Sequence, residues 1–287
     1  AMNTTMLGQK RVQTHLKDLA EESHISIINP VSGLLACGDV GAGKFPDVGA
    51  VIDLIETVDG TKNQNKKIVI TAGATAAPID PVRYLTNPST GRMGLAVAKA
   101  FLKAGHEVTV LAGHQCTPEI ENLNGHPKFK LIKAATTSLM KEAALKAFAA
   151  ADLYISTGAI ADIEFDTASE KIKKESMGES LAFHQAPDIL QEILKIKKDS
   201  QKIVSFAAET ETSEKVFQEK MNRKPVDLMI GNKVSNGLIG SEELEGFQKN
   251  EGNYFFVTKK NISGPHHLQK SDIGEKLVSW FSGNTPW

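Results

Sequence analysis

From Lys66 onward the chain alternates continuous apolar runs with segments whose apolar residues recur every three to four positions, and this alternation leaves few folds open. IVITAG, EVTVLAG, FKLIKA, LYISTGA, KIVSFAAE and VDLMIGN read as strands buried on both faces. Helical segments are expected between them at 91–104, 138–150, 187–198 and 212–222, with Pro187 in a first helical turn. In the first of these, Met93, Val97, Ala100, Phe101 and Ala104 keep helical spacing. The pattern predicts an α/β fold with a Rossmann-like, doubly wound, mostly parallel sheet. A hairpin-like YFFVTKK and a closing helix near 272–282 are appended to it.

The first sixty residues read differently. A short helix is expected over 8–22 through Val12, Leu16 and Leu19, then a strand-like ISIINP, a glycine-rich flap at 38–43 and a helix over 47–58. DGTKNQNKK, at 59–67, is polar and free of large apolar groups. The expected partition is therefore a partial α/β unit over 1–60, a linker over 61–65 and the main domain over 66–287.

Composition narrows the function classes. A chain of 287 residues with 41% apolar and 23% charged content is that of an ordinary globular protein. Net charge −1 and pI near 6.8 give no global attraction to nucleic acid or to an anionic membrane, so small phosphorylated ligands bound by local constellations are favoured. No run is long and apolar enough for a membrane span, and no signal peptide is visible. Cys37 and Cys116 are too few for a disulfide framework, so a reducing cytosol is the expected compartment.

The loop DPVRYLTNPSTGRMG, at 80–94, joins the first long strand to its helix. It lies where open α/β sheets bind ligands, at the carboxyl ends of the strands. Arg83 can hold an anion bidentately, Asn87 offers a donor and an acceptor, and Ser89, Thr90 and Gly91 can aim backbone N–H groups at phosphate. Gly73, Ala74 and Thr75 form a rival phosphate cradle. A dinucleotide fingerprint would need further glycines within a few residues of the strand, where only Gly73 stands.

TAGAT at 71–75, DPVRY at 80–84, Asn87, STG at 89–91 and MG at 93–94 together resemble phosphopantothenoylcysteine synthetase, the second half of the bacterial bifunctional coenzyme A biosynthesis protein. AIAD (159–162), EKIKK (170–174), APDIL (186–190), FAAET (206–210), KPVDLMIGN (224–232) and IGSE (239–242) continue the resemblance in register to about residue 283. It implies an amide-forming ligase that joins 4′-phosphopantothenate to L-cysteine through an acyl-nucleotide. CTP with Mg²⁺ is the implied co-substrate, ATP the second choice, and a homodimer the implied assembly.

The resemblance also assigns roles. Asn87 stabilises the activated acyl group, Arg83 serves the substrate, and Lys220 sits in a lid where it neutralises departing pyrophosphate. Ala207 and Ala208 belong to the substrate pocket, and Asn232 to the nucleotide half of the site. Asp162 is a metal or ribose partner, and Lys171, Lys173 and Lys174 are phosphate partners. The chain departs from the family pattern at Gln185, Ala186, Lys233 and Ile239. Bland readings compete: Arg83 paired with Asp80, Asn87 as a turn former before proline, the lysines as solvated charge.

NTTML at 3–7 and ACGDVGAGKFP at 36–46 resemble the last stretch of the family's flavin-dependent decarboxylase, from its P-x-M-N to its A-C-G-x-x-G-x-G flap. The flavin-binding strands and catalytic histidine of that half precede this stretch. Residues 1–60 are therefore read as a truncated remnant that binds no FMN, with Cys37 an inert thiol. Cys116, His106 and His114 are expected to be structural. Two rival functions are kept: an NAD(P)-dependent Rossmann reductase, for which Lys99 and Lys103 stand where an acidic ribose partner belongs, and a non-enzymatic nucleotide- or partner-binding protein.

Overall fold

The structure, a computed structural model, describes residues 1–22, 25, 27–57, 65–173, 180–234 and 249–287. Helices α1 (Thr4–Leu7) and α2 (Lys10–Glu21) lead to a hairpin of β1 (Val31–Leu34) and β2 (Val40–Lys44), followed by α3 (Val48–Thr57). The main domain begins with β3 (Lys67–Ala72), a small hairpin of β4 (Ala76–Pro78) and β5 (Tyr84–Thr86), and α4 (Arg92–Lys103). There follow β6 (Glu107–Ala112), a 3₁₀ turn over Pro118–Gly125, β7 (Phe129–Lys133), α5 (Thr137–Phe148) and β8 (Leu153–Ser156). A two-residue pair, β9 (Ile163–Glu164) with β10 (His184–Gln185), precedes α6 (Ile189–Ile196), β11 (Lys202–Glu209), α7 (Glu214–Arg223) and β12 (Leu228–Lys233). The chain closes with β13 (Glu251–Val257), β14 (Ile262–Gln269) and α8 (Lys270–Phe281).

One sheet of 8 strands organises the domain in the order β14-β13-β12-β11-β8-β3-β6-β7. The run from β12 to β7 is parallel, while β13 and β14 are antiparallel. This is a mixed α/β, Rossmann-like sheet, in which the order reverses beside β3.

Alternation along each strand feeds two cores. Ile68 and Ile70 of β3 pack with Val97 and Phe101 of α4 and Leu277 of α8, whereas Val69 packs with Met140 and Phe148 of α5. Both faces are covered, so the strands carry unbroken apolar runs; this is why they were visible in the sequence.

Some local expectations are corrected. The described residues of ISIINP form no strand. Pro187 precedes Asp188, which caps α6 by accepting from the Gln191 N–H at 3.1 Å, so the proline lies outside the helix rather than in its first turn. The linker expected over 61–65 falls outside the described residues except for Asn65.

Candidate active site

The site forms where the strand order turns, between β3 and β8. Gly73 leaves β3 at φ +78°, and a Cβ there would stand 2.1 Å from the Gln115 carbonyl oxygen. Only glycine can make this exit. After the β4–β5 detour the chain returns at Gly91, φ +76°, where a Cβ would lie 2.6 Å from the Cys116 sulfur. Gly94, within the first turn of α4, faces the Ala72 Cβ at 2.4 Å from its own ideal Cβ position. The three glycine duties of a dinucleotide fingerprint, turn, close approach and helix packing, are thus rebuilt in space by positions 73, 91 and 94. A hairpin inserted between the first two hid them from a local pattern.

A cavity of about 190 Å³ opens there. Ser89, Thr90 and Gly91 line it from the start of α4, Thr157 to Ala159 from the end of β8, and Phe206 and Ala208 from β11. Asn232 of β12, Tyr254 of β13 and Lys270 of α8 complete the wall. Burial pushes the Tyr254 phenol up to about 12, so it stays protonated. Ala207 points the other way, into the core against Phe217 and Met221. One residue of strand parity therefore separates the alanine that lines the cavity, Ala208, from the one that does not.

The rival cradle is already engaged. The Ala74 N–H donates to the Gln115 carbonyl at 2.9 Å and the Thr75 N–H to the Ala159 carbonyl at 3.3 Å. The Thr75 hydroxyl accepts from the Ala161 N–H at 2.8 Å. The Ala74 and Thr75 amides are thus committed within the protein, Thr75 to the 159–161 loop.

Asn87 stands against the same loop, its amide nitrogen donating to the carbonyls of Ala159 at 3.4 Å and Ile160 at 3.2 Å. To donate to an acyl oxygen it must release one of them. Lys220 projects from α7 to form an ion pair with Glu209 at the end of β11. Burial, then Arg223 and Lys224, pull its pKa below that of an ordinary lysine, while Asp162 acts in the opposite sense. Asp162, which is exposed, is held through its carbonyl, which accepts from the Ala186 N–H at 2.9 Å. Gln185 of β10 pairs with Ile163, so the two departures from the family pattern at Gln185 and Ala186 lie against the segment carrying Asp162.

Arg83 does not line that cavity. Its Nε donates to the buried Asp80 carboxylate at 2.9 Å and its guanidinium to the Ile172 carbonyl at 2.8 Å. The guanidinium holds the Asp80 carboxyl well below the usual carboxylate range. Together they tie the β4–β5 hairpin to the 167–172 loop, which carries Lys171 and leads to Lys173. Lys174, and Ile239 with the IGSE stretch, lie outside the described residues. Lys233, at the end of β12, is exposed.

Sequence reasoning missed Arg92, Tyr254, Lys270 and the 157–159 turn. Only Arg92 carried a signal, its place beside Gly91. The second strand, β6, ends at Ala112 and is followed by Gly113, so an NAD(P) ribose finds no acid at that strand end. Among the described residues no three His, Cys, Asp or Glu side chains converge as a metal site, and no helix is long and apolar enough to cross a membrane.

The amino-terminal segment has its own polar contact. Asn3 caps α1 by accepting from the Thr5 N–H at 2.8 Å and donates to the Cys37 sulfur at 3.4 Å. Leu54 of α3 is 3% exposed and would lie 3.1 Å from a Cβ on Gly125, so this segment docks on the main domain.

A family model described as the DNA/pantothenate metabolism flavoprotein C-terminal domain matches residues 63–283, and a flavoprotein family model matches residues 1–59. The coenzyme A biosynthesis bifunctional protein CoaBC of Haemophilus influenzae is 33% identical over 251 residues, covering 86% of this chain and 61% of that protein. The Bacillus subtilis protein of the same name is 35% identical over 243 residues, covering 83% of this chain and 58% of its own length. The chain thus spans about three fifths of these curated relatives. The crystal structure of the C-terminal domain of CoaBC superposes with a TM-score of 0.59 at 24% identity, covering 76% of this chain and 95% of that domain, which shows a shared fold.

These findings overturn the reading of residues 1–60 as an inert decarboxylase remnant before a stand-alone ligase. The flavoprotein model claims that segment, and the matched relatives are bifunctional. The expectation that no FMN is bound falls with it. The error lay in weighing what did not precede the segment above the motifs it contains, whose Asn3 and Cys37 meet in space.

Proposed function

The chain belongs to the DNA/pantothenate metabolism flavoprotein C-terminal domain family, and from that premise we propose that it is an enzyme of coenzyme A biosynthesis with parts of both activities of its bifunctional relatives. In this reading the main domain joins 4′-phosphopantothenate to L-cysteine, and the flavoprotein segment serves the decarboxylation of the product.

The observation that carries the ligase half is the cavity at the strand-order reversal, floored by the Ser89–Gly91 turn and adjoining Asn87 through Ala159. The nucleotide phosphates lie on that turn. The pantothenate carboxylate attacks the α-phosphorus of CTP, breaking its bond to the bridging oxygen, and pyrophosphate leaves with that electron pair. The cysteine amine then attacks the acyl carbon, loses a proton, and releases CMP with the former carboxylate oxygen. Asn87 exchanges its contact with Ala159 or Ile160 for the acyl oxygen, stabilising negative charge there without supplying a proton. Lys220 exchanges Glu209 for the departing pyrophosphate. Arg83 holds the hairpin and the lysine-bearing loop over the site.

Magnesium fits this site as a companion of the triphosphate, with exposed Asp162 as the carboxylate available to complete its shell. A flavin fits the first segment chemically: Leu34 and Val40 expose apolar faces, and Asn3 with Cys37 supplies polar ones. Bound there, it supplies two-electron redox chemistry. The working assembly is a homodimer in the reducing cytosol.

The direct test is pyrophosphate release with CTP, 4′-phosphopantothenate and cysteine. Release that requires the acid supports the reading; none above a no-enzyme control, with CTP or ATP, removes it in favour of a binding protein.

A further inference from the structure

The chain segments that follow β3, β7 and β8 meet at Thr75, which is fully buried. Its N–H donates to the Ala159 carbonyl at 3.3 Å, and its carbonyl accepts from the Thr86 hydroxyl at 2.9 Å. Its hydroxyl accepts from the Ala161 N–H at 2.8 Å and lies 3.2 Å from the hydroxyl of Thr137, the first residue of α5. Thr137, 1% exposed, donates in turn to the Ala161 carbonyl at 3.4 Å. With the Thr137 proton committed there, Thr75 is the donor between the two hydroxyls, and the run of bonds closes on the residue where it began. A ring of two hydroxyls thus holds both polar backbone groups of Ala161.

Asn87 is bracketed by these bonds. Thr86, its neighbour in the chain, is fastened to the Thr75 carbonyl, and Thr75 grips the facing loop at Ala159 and again at Ala161. The carbonyls that accept from the Asn87 amide, Ala159 and Ile160, belong to that same stretch. Ala159 has two donors, Thr75 and Asn87, so it stays paired when Asn87 turns one amide hydrogen to an acyl oxygen. The Ile160 contact, shorter at 3.2 Å, remains as the pivot. We propose that Thr75 is the positioning residue for Asn87, fixing the loop it turns on and keeping the Ala159 carbonyl satisfied when Asn87 leaves it for the substrate. The role deepens the ligase reading and rests on it for the reaction, while the placement of Asn87 stands on the hydrogen bonds. A misaligned donor stabilises developing charge less, so the effect falls on the chemical step rather than on binding.

Thr75→Val keeps the side-chain shape and the N–H but removes the hydroxyl. In the full chain it lowers kcat by about 10- to 100-fold, with KM for 4′-phosphopantothenate and CTP within about threefold of wild type. Thr75→Ser, which retains the hydroxyl, returns kcat to within about threefold. In an Asn87→Ala background, Thr75→Val costs less than about twofold more, because the side chain it positions is gone. A merely structural role would lower both backgrounds alike. Selective ¹⁵N-asparagine labelling reads the placement without turnover: the Asn87 side-chain amide signals, assigned by their loss in Asn87→Ala, move in Thr75→Val and stay in Thr75→Ser. Should Thr75→Val unfold, Thr137→Val opens the ring from α5, moves the same signals and lowers kcat severalfold. Equal losses in the two backgrounds, unmoved Asn87 signals, or unimpaired kcat in a folded Thr75→Val overturns the proposal. Signals that move with Thr75→Val, in a protein that releases no pyrophosphate from any acid and triphosphate, uphold the positioning and sink the ligase reading instead.

Discussion

The two edges of the central sheet handle polar groups in opposite ways. At the amino edge they close into local networks: Gln201, 4% exposed, donates to the carbonyls of Phe148 at 2.9 Å and Ala151 at 2.7 Å. Asp152 there accepts from the Lys67 N–H at 2.8 Å, and Asp227 from the Ile203 N–H at 2.8 Å. At the carboxyl edge, Ser89 and Lys270 are equally buried but face a cavity. Networks closed within the protein stabilise it, whereas polar groups that line a cavity stand where a ligand can reach them.

Substitutions at the two edges should therefore separate activity from stability. The largest effect is expected for Asn87→Asp, which places a carboxylate where negative charge develops. Product formation should fall on the order of 1,000-fold while the protein remains folded by circular dichroism. Near-normal turnover would move charge stabilisation away from Asn87. Gly94→Ala acts on both properties, because the new methyl meets Ala72 at 2.4 Å and pushes α4 off the sheet. Unfolding free energy should drop by about 1–3 kcal/mol, and KM for the nucleotide should rise as the Gly91 turn shifts.

Gln201→Leu is the mirror experiment. It takes the side-chain donor from the Ala151 carbonyl, while the Phe148 carbonyl keeps the Ala151 N–H at 3.0 Å; the loss should cost about 1–3 kcal/mol in urea titrations, with kcat at low temperature unchanged. Impaired kcat in the folded variant would show that the amino edge is not the passive support described here.

The smallest effect concerns His106, the exception at the amino edge. Both of its ring nitrogens are buried without a hydrogen-bond partner among the described residues, beside Phe101 and Phe281. Burial holds its pKa down at about 4. The unfolded chain binds the proton near 6.5 while the folded chain refuses it, so stability falls as pH drops from about 6.5 to about 4, and the loss levels off below. The slope from this group is at most about 1.4 kcal/mol per pH unit. His106→Leu should flatten that part of the stability profile, and an unchanged profile would assign the slope to other groups.

The sheet and its helices were legible because burial on both faces writes apolar runs into β3, β6, β8, β11 and β12, and one-sided burial writes helical spacing into α4. Ser89 to Gly91 were legible from the loop's position at a strand end. The glycine fingerprint was not, since Gly73 and Gly91 become neighbours only after the β4–β5 hairpin folds out between them. Lys270 and Tyr254 reach the cavity from distant elements, and no local pattern records a tertiary approach. Ala207 and Ala208 looked equivalent because a motif does not state strand parity. Asn3 and Cys37 were both noticed, but their contact depends on the closing of the β1–β2 hairpin.

The central claim is that the carboxyl-edge cavity activates a carboxylic acid as its acyl-nucleotide. Turnover of 4′-phosphopantothenate labelled with ¹⁸O in its carboxylate, with CTP and cysteine, tests this by mass spectrometry of the products. The account predicts one labelled oxygen in CMP and none in pyrophosphate. Label in inorganic phosphate or pyrophosphate, with unlabelled CMP, would contradict it.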